Sequence, residues 1–198
     1  FPTRRFPIGI RTLADLKGKR VSVGAPKSGT ELNARAIFKA AGLDYKDFSK
    51  VEYLPFGESV ELMKNRQLDF TLQSAGLGVS ALRDLAVAVP IVVVEIPADI
   101  VKKTIDPAYI SAIVPSHTYE GQDSDVPTAA EQNFLVTPAG ISPAAASPIT
   151  KALWTNLDTL VAAHSAAKAI NIKNALNGMP IPLHPGAEKY YKEVGILK

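Results

Sequence analysis

Short apolar runs mark the predicted strands in the first half of the chain. Runs rich in β-branched and other apolar residues occupy positions 21–23, 51–54 and 68–72, and a near-continuous apolar run occupies positions 91–96. Runs of this length and composition are typical of strands. An unbroken apolar run suits a strand that is covered on both faces. We therefore predict a strand at each of these positions.

Segments with helical spacing separate these strands. A stripe of apolar residues predicts a first helix that ends at Gly42, and shorter stripes predict helices at about residues 59–65 and 79–85. The first stripe consists of Leu32, Ala36, Ile37, Ala40 and Ala41. Strands that alternate with helices predict right-handed crossovers. The fold class predicted for this part is therefore α/β, with a doubly wound and mainly parallel sheet.

The second half of the chain has a different pattern. Positions 111–126 are polar and predict a loop, and positions 134–136 predict a strand. Ser147 followed by Pro148 is typical of a helix start. A long helix is therefore predicted from this point to His164, which lies on the apolar side of the helix and is expected to be a packed histidine.

The end of the chain is predicted to be helical as well. The residues from Pro185 onward favour a last short helix that ends near Gly195. The second half is thus predicted to be mainly helical, which distinguishes it from the α/β first half and places the boundary between them near residue 126.

Composition excludes several classes of function. The 198 residues are 46% hydrophobic and 21% charged, as in ordinary globular proteins. The net charge of +3 is small and scattered, whereas a nucleic-acid surface would show a clustered basic face. The absence of cysteine excludes disulfides and thiolate metal sites. The longest apolar run, at residues 87–94, is broken by Pro90 and is shorter than the roughly 20 residues that span a bilayer.

Three of the predicted strands end in loops of unusual composition, which we call the candidate loops: residues 24–30, 56–59 and 73–76. In an open α/β sheet, ligands bind beyond the carboxyl ends of the strands, so these loops are predicted to line one shared edge. Ser28 and Gly29 also begin a helix, where free backbone N–H groups and the helix dipole favour an anion. The pattern therefore predicts a site where uncharged donors hold a carboxylate.

Simpler roles are also open for the same residues. Ser28, Gly29, Thr30 and Glu31 fit a capping box that closes the start of the helix. The polar residues at positions 73–74 can cap the following helix in a similar way. A capping role and a ligand-binding role can coexist.

Neither a nucleotide site nor a catalytic site is predicted. Gly24 and Gly29 have the spacing of phosphate-loop glycines, but Thr30 and Glu31 stand where Lys and Ser/Thr are needed. The histidines are far apart and form no metal-spaced pair. We expect a binding protein without a cofactor or a metal. An enzyme or a sensory ligand-binding domain on the same scaffold is the alternative.

Several motifs, in the right order along the chain, resemble the TAXI family, the extracytoplasmic solute receptors of one class of TRAP transporters. The matching segments run over nearly the whole chain. They are residues 15–24, 28–31, 68–69, 73–76, 118–119, 121–123 and 182–191.

The resemblance implies a type II periplasmic-binding-protein fold. Residues 8–126 would be the second ligand-binding lobe, and residues 127–198 would be the return segment to the first lobe and the C-terminal helices. It implies a periplasmic or otherwise extracytoplasmic receptor for a small carboxylate-bearing solute, such as glutamate, another acidic amino acid or a dicarboxylate. Its partners would be the membrane subunits of a TRAP transporter, which use an ion gradient, so the receptor itself would bind no ATP. Nucleic acid is not an expected partner either, because the net charge is small and scattered.

The ligand-binding residues follow from the same resemblance, position by position. They are Ser28, Gly29, Thr30, Gln73, Ser74, Ala75 and Gly76.

Three features differ from the TAXI pattern. The glycine-rich and tyrosine-containing N-terminal motif of the first lobe has no counterpart in this sequence, and residues 1–7 do not resemble the strand that normally precedes the lobe. Gly78 also stands where a proline is common. We therefore expect a one-sided cleft, formed by the second lobe alone. A ligand that needs both lobes is expected to bind weakly.

Overall fold

The structure of the chain, a computed structural model, describes residues 9–104, 106, 108–163 and 165–198. The predictions made for residues 1–7 and for His164 lie outside the described residues. Two compact units are present, and they divide after Glu131. The assignment of residues 8–126 and 127–198 to lobes stays a prediction.

Three short parallel strands form the sheet of the first unit. β1 (Arg20–Ser22) lies between β2 (Lys50–Glu52) and β3 (Phe70–Thr71), in the order β2-β1-β3. The positions of the three strands and their parallel direction confirm the prediction, and the fold is mixed α/β; the doubly wound arrangement stays a prediction. Because both neighbours run parallel to β1, the carboxyl ends of all three strands lie at one edge of the sheet, which we call the carboxyl edge.

The described part of the first unit contains four α-helices. They are α1 (Gly29–Ala40), α2 (Phe56–Lys64), α3 (Ser80–Ala88) and α4 (Ala98–Lys103). Short 3₁₀ helices lie at Leu13–Leu16 and Tyr45–Asp47. α1 to α3 confirm the predicted helices. α4 has no counterpart among the predictions, because its 6 residues are too few to show helical spacing.

Phe38 lies in the core of the first unit. Its side chain is 1% exposed and contacts Phe48 edge to face, with 5.1 Å between the ring centroids. Val21 and Val23 of the β1 region belong to the same core and are fully buried. Leu32 is 61% exposed, so its predicted inward position is wrong. α1 instead buries the face that carries the much larger Phe38, since aromatic side chains dominate the burial of apolar area.

The opposite face of β1 makes a polar contact with α2. Successive side chains of a strand point to opposite faces, so Ser22 points away from the side of Val21 and Val23. The Ser22 and Ser59 hydroxyl oxygens lie 2.7 Å apart in the interior. The Ser59 hydroxyl also donates to the carbonyl oxygen of Pro55 at 3.0 Å. Both buried hydroxyls are therefore satisfied, and they hold the start of α2 against the sheet.

An antiparallel hairpin occupies much of the region predicted as a loop. β4 (Tyr109–Val114) pairs along its length with β5 (Val126–Glu131). The prediction of a loop over residues 111–126 is therefore wrong at both ends and holds only for the turn. Gln122 organises that turn, since its buried Nε2 lies within hydrogen-bond distance of three backbone carbonyl oxygens, which share its two hydrogens. The polar composition belongs to the turn and masks the strands that flank it.

Two apolar segments predicted as strands are not strands. The backbone of residues 91–96 forms no ladder, although the N–H of Ile96 donates to the carbonyl oxygen of Pro127 at 2.9 Å. The apolar pattern there comes from packing, because Ile96 contacts the core of the first unit. Residues 134–136 also form no strand, and Leu135 is 75% exposed.

The described part of the second unit is helical. It contains α5 (Pro143–Thr155), α6 (Leu157–Ala163) and α7 (Pro185–Glu193), with 3₁₀ helices at Ser165–Ala169 and Ile172–Asn174. α7 confirms the predicted last helix. The single long helix that was predicted is wrong, because the helix is interrupted at Asn156, which ends α5.

The predicted start of this helix at Ser147 is also wrong. Ser142 caps α5, and its hydroxyl oxygen accepts from the backbone N–H of Ala145 at 3.3 Å. Pro143 occupies the first turn, while Pro148 lies inside the helix. The chain contains two Ser-Pro pairs with the same local signal, and the helix begins at the earlier one.

Arg20 and Asp69 join β1 to the start of β3. The backbone N–H and the Nε of Arg20 both donate to Oδ2 of Asp69 at 2.9 Å, and Nη2 donates to Oδ1 at 2.7 Å. Such a bidentate pair has a fixed geometry and fixes the register of the two strands. The hydrogen bonds from the Arg20 side chain lower the pKa of the Asp69 carboxyl below its ordinary value of 3.8.

The substitution Asp69→Asn is expected to destabilise the first unit at neutral pH. The folded state has the lower pKa, so the ionised carboxylate stabilises the fold above pH 3.8, and this contribution is lost as the pH falls through the lowered pKa. We expect a loss of about 1–2 kcal/mol at pH 7 by urea denaturation. The difference from the wild type should shrink on acidification.

Asp123→Asn is the matched control for this prediction. Asp123 is exposed and makes no hydrogen bond or ion pair with the described residues, so its replacement should leave stability unchanged at every pH. A loss that is equal for the two variants, or a loss for Asp69→Asn that does not depend on pH, would contradict the role of the Arg20 pair.

Candidate functional site

The candidate loops emerge together at the carboxyl edge. Residues 24–30 follow β1, residues 56–59 follow β2, and residues 73–76 follow β3. The parallel strand pairing confirms that all three leave the sheet at the same edge. This is the position at which open α/β sheets bind ligands.

The first candidate loop ends in the amino terminus of α1. The Ser28 hydroxyl oxygen caps the helix by accepting from the N–H of Glu31 at 3.2 Å. The N–H groups of Gly29 and Thr30 have no acceptor among the described residues. Gly29 is exposed, whereas the side chain of Thr30 is buried. Unpaired N–H groups at a helix start attract an anion, and the helix dipole adds to this preference.

Glu31 does not complete the predicted capping box. Its carboxylate instead forms an ion pair with Arg35 one turn further along α1 and accepts from the hydroxyl of Tyr45 at 3.2 Å. The Ser28 N–H donates to the carbonyl oxygen of Ala25 instead. The prediction is therefore right for Ser28 and wrong for Glu31. As a result, the negative charge in the first turn of α1 is paired and does not oppose an incoming anion.

Gly24 allows the chain to pass close to this helix start. Its φ of +94° lies in the region that favours glycine, and a Cβ built there would lie 2.6 Å from Cγ2 of Thr30. Because of both the positive φ and the short distance to Thr30, a residue with a side chain would fit here only if the loop shifted. Gly24 therefore sets the distance between the end of β1 and the first turn of α1.

The second candidate loop is the first turn of a helix. α2 begins at Phe56, and its N-cap residue, Pro55, supplies no capping side chain. The N–H groups of Phe56, Gly57 and Glu58 have no acceptor among the described residues. The prediction treated this segment as loop and started the helix near Ser59. A second helix start with unpaired N–H groups therefore faces the carboxyl edge.

The third candidate loop is held by a residue of α1 that the sequence reasoning missed. Ser74 accepts from the side-chain Nδ2 of Asn33 at 2.9 Å. α3 begins at Ser80 after Val79, so the alternative that Ser74 caps this helix is wrong. Asn33 is 8% exposed, and its neighbours in the sequence give no sign that a polar residue at this helical position is buried. Ala75 and Gly76 are exposed.

Gln73 carries unused hydrogen-bonding capacity. Both its Nε2 and its Oε1 are buried, and neither has a partner among the described residues. Buried amide groups nearly always find a partner, which is either protein, solute or ordered water. Gln73 is thus brought to the same edge as Ser28 and Ser74, with a donor and an acceptor that no described residue pairs.

A family model described as the NMT1-like family matches residues 6–195. The chain belongs to the NMT1-like family. NMT1-like proteins are periplasmic-binding-protein-like, and the parallel sheet with its surrounding helices is consistent with that fold. Membership indicates a solute-binding role in general, with a small molecule as ligand and membrane components as partners.

The location that the family indicates is usually extracytoplasmic. None of the helices in the described part of this NMT1-like chain is long and apolar enough to cross a bilayer. The narrower resemblance to the TAXI family, and with it the TRAP transporter, stays a prediction.

The substitution Gly24→Ala is expected to destabilise the first unit and to displace the start of α1. Gly18→Ala is the matched control, because Gly18 has a φ of +71° but nothing within 4 Å of an added Cβ. We expect a loss of about 1 kcal/mol for the control, which reports the backbone conformation alone. For Gly24→Ala we expect at least about 2 kcal/mol by urea denaturation, because the contact with Thr30 adds to it. Equal losses would show that the loop accommodates the methyl group.

Proposed function

We propose that this NMT1-like protein is an extracytoplasmic receptor that captures a small carboxylate-bearing solute and does no chemistry on it. Glutamate, another acidic amino acid or a dicarboxylate is the proposed class of solute. The proposed partners are the membrane subunits of a TRAP-type transporter. The observation that carries the proposal is the pair of helix starts at the carboxyl edge, those of α1 and α2, whose first backbone N–H groups have no acceptor in the part of the chain that the structure describes.

The amino terminus of α1 is the better of the two anchors for a carboxylate. Glu58 is exposed in the first turn of α2 and would compete with an incoming anion. Glu31 in the first turn of α1 is already paired with Arg35. The N–H groups of Gly29 and Thr30 therefore act without an opposing charge, and hydrogen bonds from such groups to a carboxylate are charge-assisted and strong.

The second contact with the solute comes from the loop after β3. Ser74 supplies a hydroxyl, and Gln73 supplies an amide whose atoms have no partner among the described residues. An acidic amino acid or a dicarboxylate has two polar ends, so donors at both loops suit such a molecule. The groups that carry the proposal are hydroxyls and amides, which donate hydrogen bonds but do not ionise near neutral pH. This composition favours a receptor over an enzyme.

The substitution Gly29→Pro tests the anchor, because it deletes one backbone donor and preserves the helix. Proline is favoured at the first helical position. Ser28, with φ −84° and ψ 160°, already has the extended conformation that precedes a proline. We expect the melting temperature to stay the same or rise. The affinity for the best carboxylate ligand, measured by isothermal titration, should fall by about tenfold or more, since one hydrogen bond to a charged group is lost.

Gly29→Ala is the matched control, since it adds a side chain in open space and keeps the N–H. This variant should bind as the wild type does. The titration panel pairs each acidic amino acid or dicarboxylate with its uncharged amide. A wild type that binds none of the carboxylates, or that binds the amides equally well, would overturn the proposal. Recovery of a chemically altered ligand after long incubation would favour an enzyme instead.

A further inference from the structure

Asn33 of α1 uses all of its side-chain hydrogen-bonding groups inside the first unit. Its Nδ2 donates to Oγ of Ser74 at 2.9 Å and to Oε1 of Glu131 at 2.8 Å. Its Oδ1 accepts from the hydroxyl of Tyr109 at 2.6 Å. One buried amide therefore ties together α1, the loop after β3 and both strands of the hairpin.

The partners of Asn33 leave its amide a single orientation. The Glu131 carboxylate can only accept, so the NH₂ group must face it. The Tyr109 hydroxyl then has to donate to Oδ1. Burial raises the pKa of Tyr109, with a further contribution from Glu131, so that this hydroxyl keeps its proton. A flipped amide would set Oδ1 against the carboxylate and is excluded.

This orientation also fixes the polarity of Ser74. Because Nδ2 of Asn33 donates to Oγ, the oxygen of Ser74 uses a lone pair on its protein side. The hydroxyl proton is therefore directed elsewhere. Ser74 is partly exposed and is followed by the exposed residues Ala75 and Gly76. The proton of this hydroxyl is thus free to serve a group that arrives at the carboxyl edge.

We infer that Asn33 is a positioning residue that turns the Ser74 hydroxyl into a hydrogen-bond donor for the carboxylate of the solute. The inference rests on the proposed function. It assigns to α1 a second role besides its amino terminus: the same helix that offers the N–H groups of Gly29 and Thr30 also sets the direction of the donor on the neighbouring loop.

An exchange of two side chains tests this role. In the double variant Asn33→Asp with Glu131→Gln, the net charge and the number of hydrogen-bonding groups are the same as in the wild type. The glutamine introduced in β5 now donates to the aspartate introduced in α1, and Tyr109 still donates to that aspartate. The new aspartate cannot donate, so the Ser74 hydroxyl turns inward and presents lone pairs to the solute. We expect affinity for the best carboxylate ligand to fall at least about tenfold in isothermal titration.

Two variants isolate the part played by Ser74. Ser74→Ala removes the donor without turning it round, so its loss of affinity should be smaller than that of the exchange. In the Ser74→Ala background, the exchange should cause no further loss, because there is no hydroxyl to reorient. Asp123→Asn is the control, because Asp123 is exposed and contacts none of these groups, and it should bind within about twofold of the wild type.

A destabilised exchange variant does not end the test. Its melting temperature is measured first. If the exchange does not fold, Glu131→Gln alone replaces it, since the introduced amide can donate as well as accept and no longer holds the Asn33 amide in one orientation. We expect affinity to fall about two- to fivefold, again only while Ser74 is present.

The outcomes separate the two proposals. A wild-type chain that binds no carboxylate removes the receptor function and the role of Asn33 with it. A wild type that binds, with a folded exchange variant of equal affinity, overturns the role of Asn33 alone. A loss that persists unchanged in the Ser74→Ala background also overturns it, because the effect would then not pass through the hydroxyl.

Discussion

The parallel pairing of β1 with a strand on each side is the constraint on which the rest of the first unit depends. It sends three connections out at one edge, and two of them enter helices directly. The strands are only two or three residues long, so their own hydrogen bonds give limited stability. The Arg20–Asp69 pair and the packing around Phe38 hold the register that these short ladders alone would specify weakly.

Two sets of polar groups in the interior of this unit form chains rather than isolated pairs. Ser22 meets Ser59, which reaches the backbone before α2. Asn33 connects Ser74 to the two strands of the hairpin. In each case, the last donor or acceptor of the chain ends near the carboxyl edge. In the second chain, the buried Asn33 therefore limits the direction in which the Ser74 hydroxyl can donate, which a view of the surface alone would not reveal.

The sequence allowed much of this arrangement to be predicted, and the reasons for the exceptions are physical. Local patterns are sufficient for β1 to β3 and for α1 to α3, because apolar periodicity and helix stops act over a few residues. The hairpin is missed because its turn is polar enough to mask its strands. α5 starts at the earlier of two equivalent Ser-Pro pairs, and only packing chooses between them. Asn33 is missed because its partners are distant in sequence, and no local pattern reports a contact of that kind.

The backbone N–H groups at the starts of α1 and α2 have a consequence for the pH dependence of ligand binding under the proposed function. A peptide N–H does not ionise within the physiological pH range, unlike the side chain of a histidine. As long as the first unit stays folded, a ligand held mainly by such groups would be released only when the ligand itself becomes neutral. The pH at which binding is lost would then be set by the pKa of the ligand's own carboxyl group. A different ligand would shift this pH without any change in the amino-acid sequence.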